Sequence, residues 1–175
     1  MHFIKNIRLL HQSKELSPVP RSVWTDPVHF ITCVFGAGCL PAMPGTWATL
    51  ASILLCTTLS PLTPIAFTCI VSILCLCGIW LCGKTNRDFN TVDHPATCFD
   101  EFASFPICLI GLPITWPYLL AAFVLFRFFD IVKPPPINFL DQNLHGGMGV
   151  MLDDIVAAFF TLTLLHSAHF LLSRL

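Results

Sequence analysis

The chain contains few charged residues. Lys, Arg, Asp and Glu make up 11% of its 175 residues, whereas a soluble domain carries about 25%. Hydrophobic residues make up 55%, and the mean hydropathy is +0.76. So little polar surface cannot enclose that much apolar material in water, and the same apolar content argues against disorder. We therefore predict a membrane protein with one membrane-embedded domain.

Several other signatures are absent. The net charge of −1 gives no reason to expect a nucleic-acid partner. The nine cysteines include no Cys-x-x-Cys pair, which argues against a zinc knuckle. Residues 1–25 contain no apolar stretch of signal-peptide length, so we expect no cleavage there and assign them as an N-terminal cytoplasmic extension.

Charges are missing from three long runs, residues 27–83, 102–126 and 155–173. A helix needs about 20 apolar residues to cross a bilayer. Within the first run, residues 65–82 suit one span, and residues 47–59 suit a shorter arm before the proline-rich turn at 60–64. Residues 155–172 suit the last span. The pattern predicts a helical hairpin and a C-terminal transmembrane helix.

The middle run, residues 102–126, is interrupted by Pro106, Gly111, Pro113 and Pro117. It either crosses the membrane once or turns near Gly111 and returns, as a re-entrant or broken helix covered by protein. The turning layout places all but one of the cations on the cytoplasmic side, as the positive-inside rule expects. These cations are Lys5, Arg8, Lys14, Arg21, Lys84, Arg87, Arg127 and Lys133.

We therefore predict an all-α, polytopic membrane protein in which residues 26–175 form a single domain. Its polar loops lie on the cytoplasmic face. The turning layout brings three segments, 41–49, 88–101 and 127–154, to one site on that face.

Two acidic groups are candidate metal ligands. Asp100-Glu101 follows Asp93-His94, and Asp153-Asp154 precedes the last apolar run. Adjacent carboxylates at a membrane boundary repel one another, and a divalent cation offsets that cost. The alternatives are solvated flanking charges for the first group and N-terminal helix capping for the second.

Cationic, polar and glycine-rich residues offer phosphate contacts. Arg127, Asp130 and Lys133 are spaced to share one helix face, so they form either a salt-bridged helix end or a phosphate-binding pair of cations held by a carboxylate. A glycine-rich stretch permits close backbone approach to a ligand, and Pro44-Gly45-Thr46 could start a phosphate-binding helix. That stretch contains Asp141, His145, Gly146, Gly147 and Gly149.

One nucleotide-binding motif is a false match. Residues 78–85 fit G-x-x-x-x-G-K-[ST], but they end an apolar helix instead of following a strand, so we reject nucleotide binding. The chain also lacks a Cys-x5-Arg loop around Cys82 and any Asp-x-Asp-x-[Thr/Val] motif. Phosphatase chemistry here would therefore use metal-assisted attack by water.

These motifs together resemble the phosphatidylglycerophosphatase A family. The resemblance covers about residues 26 to 172 and is most specific over residues 127–154. It rests on residues 44–46, 93–94, 100–102, 126–134, 136–137, 141 and 145–154. The chain departs from the family pattern at Ala103-Ser104, at Ala48-Thr49 and in the proline-rich segment 106–117.

The resemblance implies a Mg²⁺-dependent phosphatase of the bacterial inner membrane, with its active site on the cytoplasmic face. It would convert phosphatidylglycerophosphate to phosphatidylglycerol and phosphate. Its partners would be this phospholipid and the surrounding membrane lipid. The rival hypothesis is a small ion-coupled transporter or channel component that binds cations at the same acids.

We assign the residues as follows. Asp93, His94, Asp130 and His145 are catalytic, with one of the histidines protonating the leaving glycerol oxygen. Asp100, Glu101, Asp153 and Asp154 bind metal. Thr46, Arg127, Lys133, Asp141, Gly146 and Gly147 bind substrate.

Overall fold

The computed structural model describes residues 18–144 and 146–174, and within these ranges it is entirely helical, without strands. This confirms the all-α prediction for the described part of the chain. The α-helices are α1 (Pro27–Thr32), α2 (Pro44–Leu59), α3 (Pro64–Asp88), α4 (Phe99–Ser104), α5 (Trp116–Val132), α6 (Ile137–Asn143) and α7 (Gly146–Leu172). Short 3-10 turns cover Arg21–Trp24, Val34–Cys39 and Phe105–Leu109.

Helices α3 and α7 are long and apolar enough to cross a membrane. At 1.5 Å per residue their 25 and 27 residues extend about 37 and 40 Å, more than the roughly 30 Å hydrocarbon core. Helix α2 has 16 residues and is a shorter apolar helix. Helix α3 continues without a break through residues 78–85, so the nucleotide-binding look-alike is helical and contains no phosphate-binding loop.

The predicted hairpin consists of α2 and α3, which the turn at Ser60–Thr63 joins. Thr63 caps α3 by accepting from the Ala66 backbone N–H at 3.3 Å. Both arms pack against α4, which lies between them, more than against each other, and α3 also packs extensively against α7. Ser52 on α2 donates to the Phe102 carbonyl at 2.7 Å, and Cys75 on α3 lies 3.5 Å from the Ala103 carbonyl. These contacts give hydrogen-bond partners to backbone groups that would otherwise be buried without any.

The charge-free run 102–126 turns and comes back. Its first limb, α4 and the following 3-10 turn, is deeply buried, and Pro106 interrupts the α-helical hydrogen bonding there. The chain reverses at Gly111, which has a positive φ of 75°, and α5 returns along the first limb. Phe105 and Phe126 meet edge to face between the limbs, with ring centroids 5.8 Å apart. The two ends of the run therefore lie side by side.

Helix α7 differs from its predicted extent. The sequence indicated a span from residue 155 with Asp153 and Asp154 at its start, but α7 begins at Gly146. Both aspartates therefore lie two turns inside the helix, and the N-terminal capping interpretation is wrong. The helix can start earlier because Gly147 packs directly on α3, where an added Cβ would lie 1.8 Å from the Ile79 carbonyl oxygen.

The predicted boundary between residues 25 and 26 is not a boundary of packing in the described part. Val23 is fully buried against Cys33 and Ala96. Residues 1–17 of the predicted extension lie outside the described residues, and the division of the chain into two parts stays a prediction.

Candidate active site

A charged cavity of about 110 Å³ opens at the end of the molecule where α4, α5, α6 and α7 meet. This volume holds several water molecules. The cavity brings together residues from two of the three predicted segments, 88–101 and 127–154, and none of its lining residues comes from 41–49. Its lining consists of Val92, Asp93, Asp100, Glu101, Asp130, Lys133, Asp141, Leu144, Gly146, Gly149, Val150, Asp153 and Asp154.

Three carboxylates converge at the floor of this cavity. One oxygen each from Asp100, Glu101 and Asp154 lies within 4.8 Å of the others. Asp100 and Asp154 are only 8% and 3% exposed. Asp100 Oδ1, Glu101 Oε2 and Asp154 Oδ2 are buried and have no hydrogen-bond partner among the described residues. Buried, unpartnered carboxylate oxygens are costly, and their convergence fits a hard divalent cation.

The electrostatics of the cluster agree with this interpretation. Burial, followed by the neighbouring Glu101 carboxylate, raises the pKa of Asp100 well above its ordinary value. Without a cation, the charged form of Asp100 is disfavoured because it is desolvated and faces like charge. A bound cation would reverse both effects, since it supplies the opposite charge in place of water.

Arg127 joins the two ends of the returning segment. Its Nη1 lies 2.6 Å from Asp130 Oδ2, one helical turn along α5, and 3.6 Å from Glu101 Oε1 on α4. The guanidinium is largely buried, and its Nε has no hydrogen-bond partner among the described residues. Arg127 thus retains donor capacity beside the carboxylate cluster.

Lys133 ends α5 in the left-handed conformation, with φ of 45°. This turn directs Nζ between two carboxylates, 2.6 Å from Asp141 Oδ1 and 2.6 Å from Asp153 Oδ2. Burial alone would lower the pKa of Lys133, but the charges of Asp153 and Asp141 outweigh it and raise the pKa above its ordinary value. The ammonium is therefore charged and lies at the cavity wall.

The start of α2 approaches the same cluster. A Cβ on Gly45 would lie 1.9 Å from Glu101 Oε1 and 3.0 Å from Arg127 Nη1, so any larger residue there would displace the Glu101 carboxylate. Thr46 is half-buried, and its Oγ1 has no hydrogen-bond partner among the described residues. The motif at residues 44–46 indicated this approach, but the sequence did not single out Gly45 as the contact.

Asp93 and His94 lie in different environments although they are adjacent. Asp93 lines the cavity. His94 is 3% exposed and lies outside the lining residues. Its backbone N–H donates to Asn86 Oδ1 at 3.1 Å, and its Nδ1 accepts from the Ala96 backbone N–H at 3.1 Å. The His94 ring thus helps to fold the loop, and direct proton transfer by His94 stays a prediction.

The two glycines at the start of α7 also lie in different environments. Gly146 lines the cavity with φ of 76° and open space where a Cβ would be, as far as the described residues extend. Gly147 is buried at the crossing of α7 with α3, close to Ile79 and Gly83. Substrate binding by Gly147 therefore stays a prediction without a cavity contact. His145 lies outside the described residues, and its catalytic role also stays a prediction.

The sequence analysis missed one polar cluster beside the site. His29 on α1 donates through Nε2 to Asp88 Oδ2 at 3.0 Å. Lys84 Nζ lies 2.5 Å from the same oxygen and 3.8 Å from Asp26 Oδ2. The i, i+4 spacing of Lys84 and Asp88 and the i, i+3 spacing of Asp26 and His29 were the available signals, but their meeting depends on tertiary packing.

Comparison with known proteins identifies the relatives. Residues 30–169 match the family model described as phosphatidylglycerophosphatase A. The chain is 40% identical to phosphatidylglycerophosphatase A of Haemophilus influenzae over 148 residues, which cover 83% of this chain and 91% of the relative. It is 37% identical to the Escherichia coli K12 enzyme of the same name, over 81% of this chain and 83% of that enzyme.

A further relative carries a different substrate in its name. It is a putative phosphatidylinositol-3-phosphatase of Bacteroides thetaiotaomicron, 35% identical over 79% of this chain and 91% of the relative. No solved structure matches the chain. The family match spans most of the chain and includes the residues that form the cavity, so the chain belongs to the phosphatidylglycerophosphatase A family and is a lipid phosphatase.

Proposed function

We propose that the protein hydrolyses the terminal phosphomonoester of phosphatidylglycerophosphate, releasing phosphatidylglycerol and inorganic phosphate, in a Mg²⁺-dependent reaction. The observation that carries this proposal is the convergence of Asp100, Glu101 and Asp154, whose buried oxygens lack partners among the described residues. Lys133 lines the same cavity, and Arg127 contacts two of its lining carboxylates, Glu101 and Asp130. Two relatives at 37–40% identity are named phosphatidylglycerophosphatase A, and this supports the choice of lipid.

Asp100, Glu101 and Asp154 would hold the cation. Asp153, also predicted to bind metal, lies outside this group and accepts from Lys133 through Oδ2 instead, so a metal contact by Asp153 stays a prediction. Mg²⁺ bound there would polarise the phosphate ester and make water a better nucleophile. Carboxylates combined with substrate phosphate oxygens form the ligand set that Mg²⁺ prefers. The donor set thus fits this ion, and it explains why three carboxylates share one buried site.

The remaining residues bind and orient the phosphate. Arg127 offers donors to the equatorial oxygens, and Lys133 adds a point charge from the opposite wall. Both are held in place by Asp130, Asp141 and Asp153, so little reorganisation is needed as charge develops in the transition state. Asp93, at the cavity edge, is positioned to accept a proton from the attacking water.

The glycine-lined side of the cavity accommodates the rest of the headgroup. Gly146 lines the cavity with open space at its Cβ position among the described residues, whereas Gly149 packs so closely on the Leu144 carbonyl oxygen that a Cβ would lie 2.3 Å from it. We assign this side to the glycerol of the substrate, because absent side chains allow the backbone to approach a polar ligand closely. Thr46 lies behind Gly45, where its buried hydroxyl can reach a phosphate oxygen that Arg127 holds.

We further propose the membrane layout. Helices α3 and α7 span the bacterial inner membrane, α2 enters it beside them, and residues 102–126 turn within it. The cations Arg21, Lys84, Arg87, Arg127 and Lys133 then share the cytoplasmic side with the cavity, and Arg174 lies opposite, in line with the positive-inside rule. Exposed Trp24 and Trp47 lie at the level of the cavity and exposed Trp116 at the other end, as interfacial tryptophans do.

Phosphate release tests the activity. Purified protein in detergent is given phosphatidylglycerophosphate with Mg²⁺ or with EDTA, and phosphatidylinositol 3-phosphate in a parallel reaction. We expect Mg²⁺-dependent release from the first lipid. Asp100→Asn and Asp154→Asn should lower the rate by at least about 100-fold, the scale for losing one key electrostatic contact. Thr57→Ala is the control, because Thr57 is exposed at the far end of α2 and its hydroxyl donates only to the Leu54 carbonyl.

The outcomes separate the hypotheses. Release that persists in EDTA would contradict the metal assignment. Faster release from phosphatidylinositol 3-phosphate would change the proposed substrate and leave the proposed phosphomonoester hydrolysis unchanged. No release from either lipid, by folded protein with any divalent metal, would overturn the proposal and favour the ion-transport hypothesis.

Reporter fusions test the layout. The proposed topology places the chain's C-terminus in the periplasm, so alkaline phosphatase fused after residue 175 should be active and a cytoplasm-restricted fluorescent protein should not fluoresce there. The reverse pattern would place the cavity on the wrong side of the membrane for our proposal.

A further inference from the structure

The cluster of Asp26, His29, Lys84 and Asp88 lies outside the cavity and has no part in the proposed chemistry. His29 is 4% exposed, although it is polar. Its Nε2 donates a hydrogen bond to Asp88, and the Lys84 ammonium contacts the carboxylates of both Asp26 and Asp88. Because the Lys84 ammonium already lies against both carboxylates and Asp26 also caps α1 by accepting from the Val28 backbone N–H, the cluster is better explained as a mechanical link than as a second metal site.

The link joins α1 to the loop that carries Asp93. This loop, residues 89–98, begins where α3 ends at Asp88 and leads into α4. His29 holds its beginning through Asp88. Thr32, one turn further along α1, holds its end, because the Thr32 carbonyl accepts from the Cys98 backbone N–H at 3.2 Å. Helix α1 therefore braces both ends of the loop.

An aromatic contact continues the link toward the cavity. The Phe89 ring lies edge to face with His29, at 4.8 Å between centroids, and with His94, at 5.0 Å. His94 is followed by a backbone turn that its own Nδ1 closes on Ala96, and it is preceded by Asp93 at the cavity edge. Movement of His29 would thus be passed to Asp93 through packed rings.

We propose that His29 is a positioning residue for the phosphatase reaction. Its hydrogen bond to Asp88, together with its contact to Phe89, holds the 89–98 loop so that Asp93 faces the cavity. This inference rests on the proposed function only in taking Asp93 as a participant in hydrolysis. His29 itself touches neither the cavity nor the carboxylate cluster among the described contacts.

Paired variants separate the two contacts. His29→Phe keeps a ring against Phe89 and loses the donor to Asp88. His29→Gln keeps an N–H at the position of Nε2 and loses the ring. Asp88→Ala removes the acceptor from the half-exposed side, where a substitution is tolerated more easily than at buried His29. Phe30→Ala is the control, because Phe30 lies on the same helix and contacts Trp24 and Phe35 instead of the loop.

Hydrogen–deuterium exchange of the full-length protein in detergent tests the brace directly. We expect faster exchange in the peptide covering residues 89–98 for His29→Phe and Asp88→Ala, recovery toward wild type in His29→Gln, and no change there in Phe30→Ala. Unchanged exchange in both brace variants, or an equal increase in Phe30→Ala, would overturn the brace. This result does not depend on whether the lipid substrate is correct.

A double-mutant cycle tests the positioning role. We expect His29→Phe to lower kcat/KM by about tenfold, since a displacement of about 1 Å can cost as much as 100-fold. In an Asp93→Glu background, where the carboxylate is already displaced, the same change should cost less than about threefold. A full tenfold loss in both backgrounds would show that His29 does not act through Asp93. Wild-type protein without phosphatase activity would instead contradict the proposed function and leave the exchange result to decide the brace.

Discussion

Gly45 is the residue at which the site tolerates the least change. Its missing side chain lets α2 approach Glu101 and Arg127, and a Cβ would lie 1.9 Å from Glu101 Oε1. We expect Gly45→Ala to push Glu101 out of the cluster and to lower kcat/KM by at least about tenfold, because small misplacements at a reacting centre are costly. Thr57→Ala, at the exposed far end of the same helix, is the control. Wild-type kinetics in Gly45→Ala would contradict this role.

Arg127 shows why a positive charge alone does not meet the needs of its position, which requires contacts to two carboxylates. One guanidinium reaches both Glu101 and Asp130, which a single ammonium group does less well because Lys lacks the planar fork. We therefore expect Arg127→Lys to fold but to raise the KM for lipid phosphate and to lower kcat/KM about tenfold or more. Steady-state kinetics with normal thermal stability would confirm a binding role. Equal loss of stability would show that Arg127 mainly joins α4 to α5.

At the scale of elements, the crossing of α3 and α7 depends on Gly147. An added Cβ would lie 1.8 Å from the Ile79 carbonyl oxygen and 2.7 Å from the Gly83 backbone nitrogen. We expect Gly147→Ala to destabilise the fold by about 1–3 kcal/mol, as overpacking does, and to lower the thermal midpoint in detergent. Thr163→Ala is the contrasting variant, because Thr163 lies on the same helix, is exposed, and its hydroxyl donates only to the Phe159 carbonyl one turn earlier. Equal midpoints for the two variants would contradict this account of the crossing.

The helices also show which of their ends the hydropathy pattern can predict. The hydropathy pattern indicated both ends of α2 and the start of α3 to within three residues, because apolar runs bounded by prolines determine helices locally. It missed the last six residues of α3, which continues as a polar helix from residue 83 to Asp88. It misplaced the start of α7 by nine residues, 155 against Gly146. The pattern treats glycines and aspartates as helix breakers or caps, whereas packing on α3 and the carboxylate cluster keeps residues 146–154 helical.

For the whole molecule, the unpaired carboxylates predict that a cation contributes to stability. Asp100, Glu101 and Asp154 repel one another in the cavity, and an ion that binds only the folded state stabilises it by mass action. At 100 times its dissociation constant, Mg²⁺ would add about 2.7 kcal/mol. We expect a higher thermal midpoint with Mg²⁺ than with EDTA, and a smaller difference in Asp100→Asn. The same Mg²⁺ effect in both proteins would place the ion elsewhere.

The returning segment, residues 102–126, brings distant parts of the site together. Glu101 and Arg127 stand at opposite ends of an uncharged run, and they meet because Gly111 reverses the chain. The prolines of this run predicted an interruption, and the distribution of cations favoured the turning layout. Neither feature indicated that the first limb would separate α2 from α3, since that arrangement depends on how three apolar helices fill one volume.

The sequence by itself determined the features that depend on neighbouring residues or on overall composition. Its low charge and high hydropathy predicted a membrane protein, its apolar runs predicted the helices, and its motifs at residues 93–101 and 127–154 predicted the family and the acids that meet in the cavity. Only the tertiary structure decided which of these residues share a surface. It placed Gly45 against Glu101, directed Lys133 between Asp141 and Asp153, turned His94 away from the cavity, and joined His29 to Asp88. These contacts link residues distant in sequence or depend on one left-handed turn, so no periodicity or composition records them.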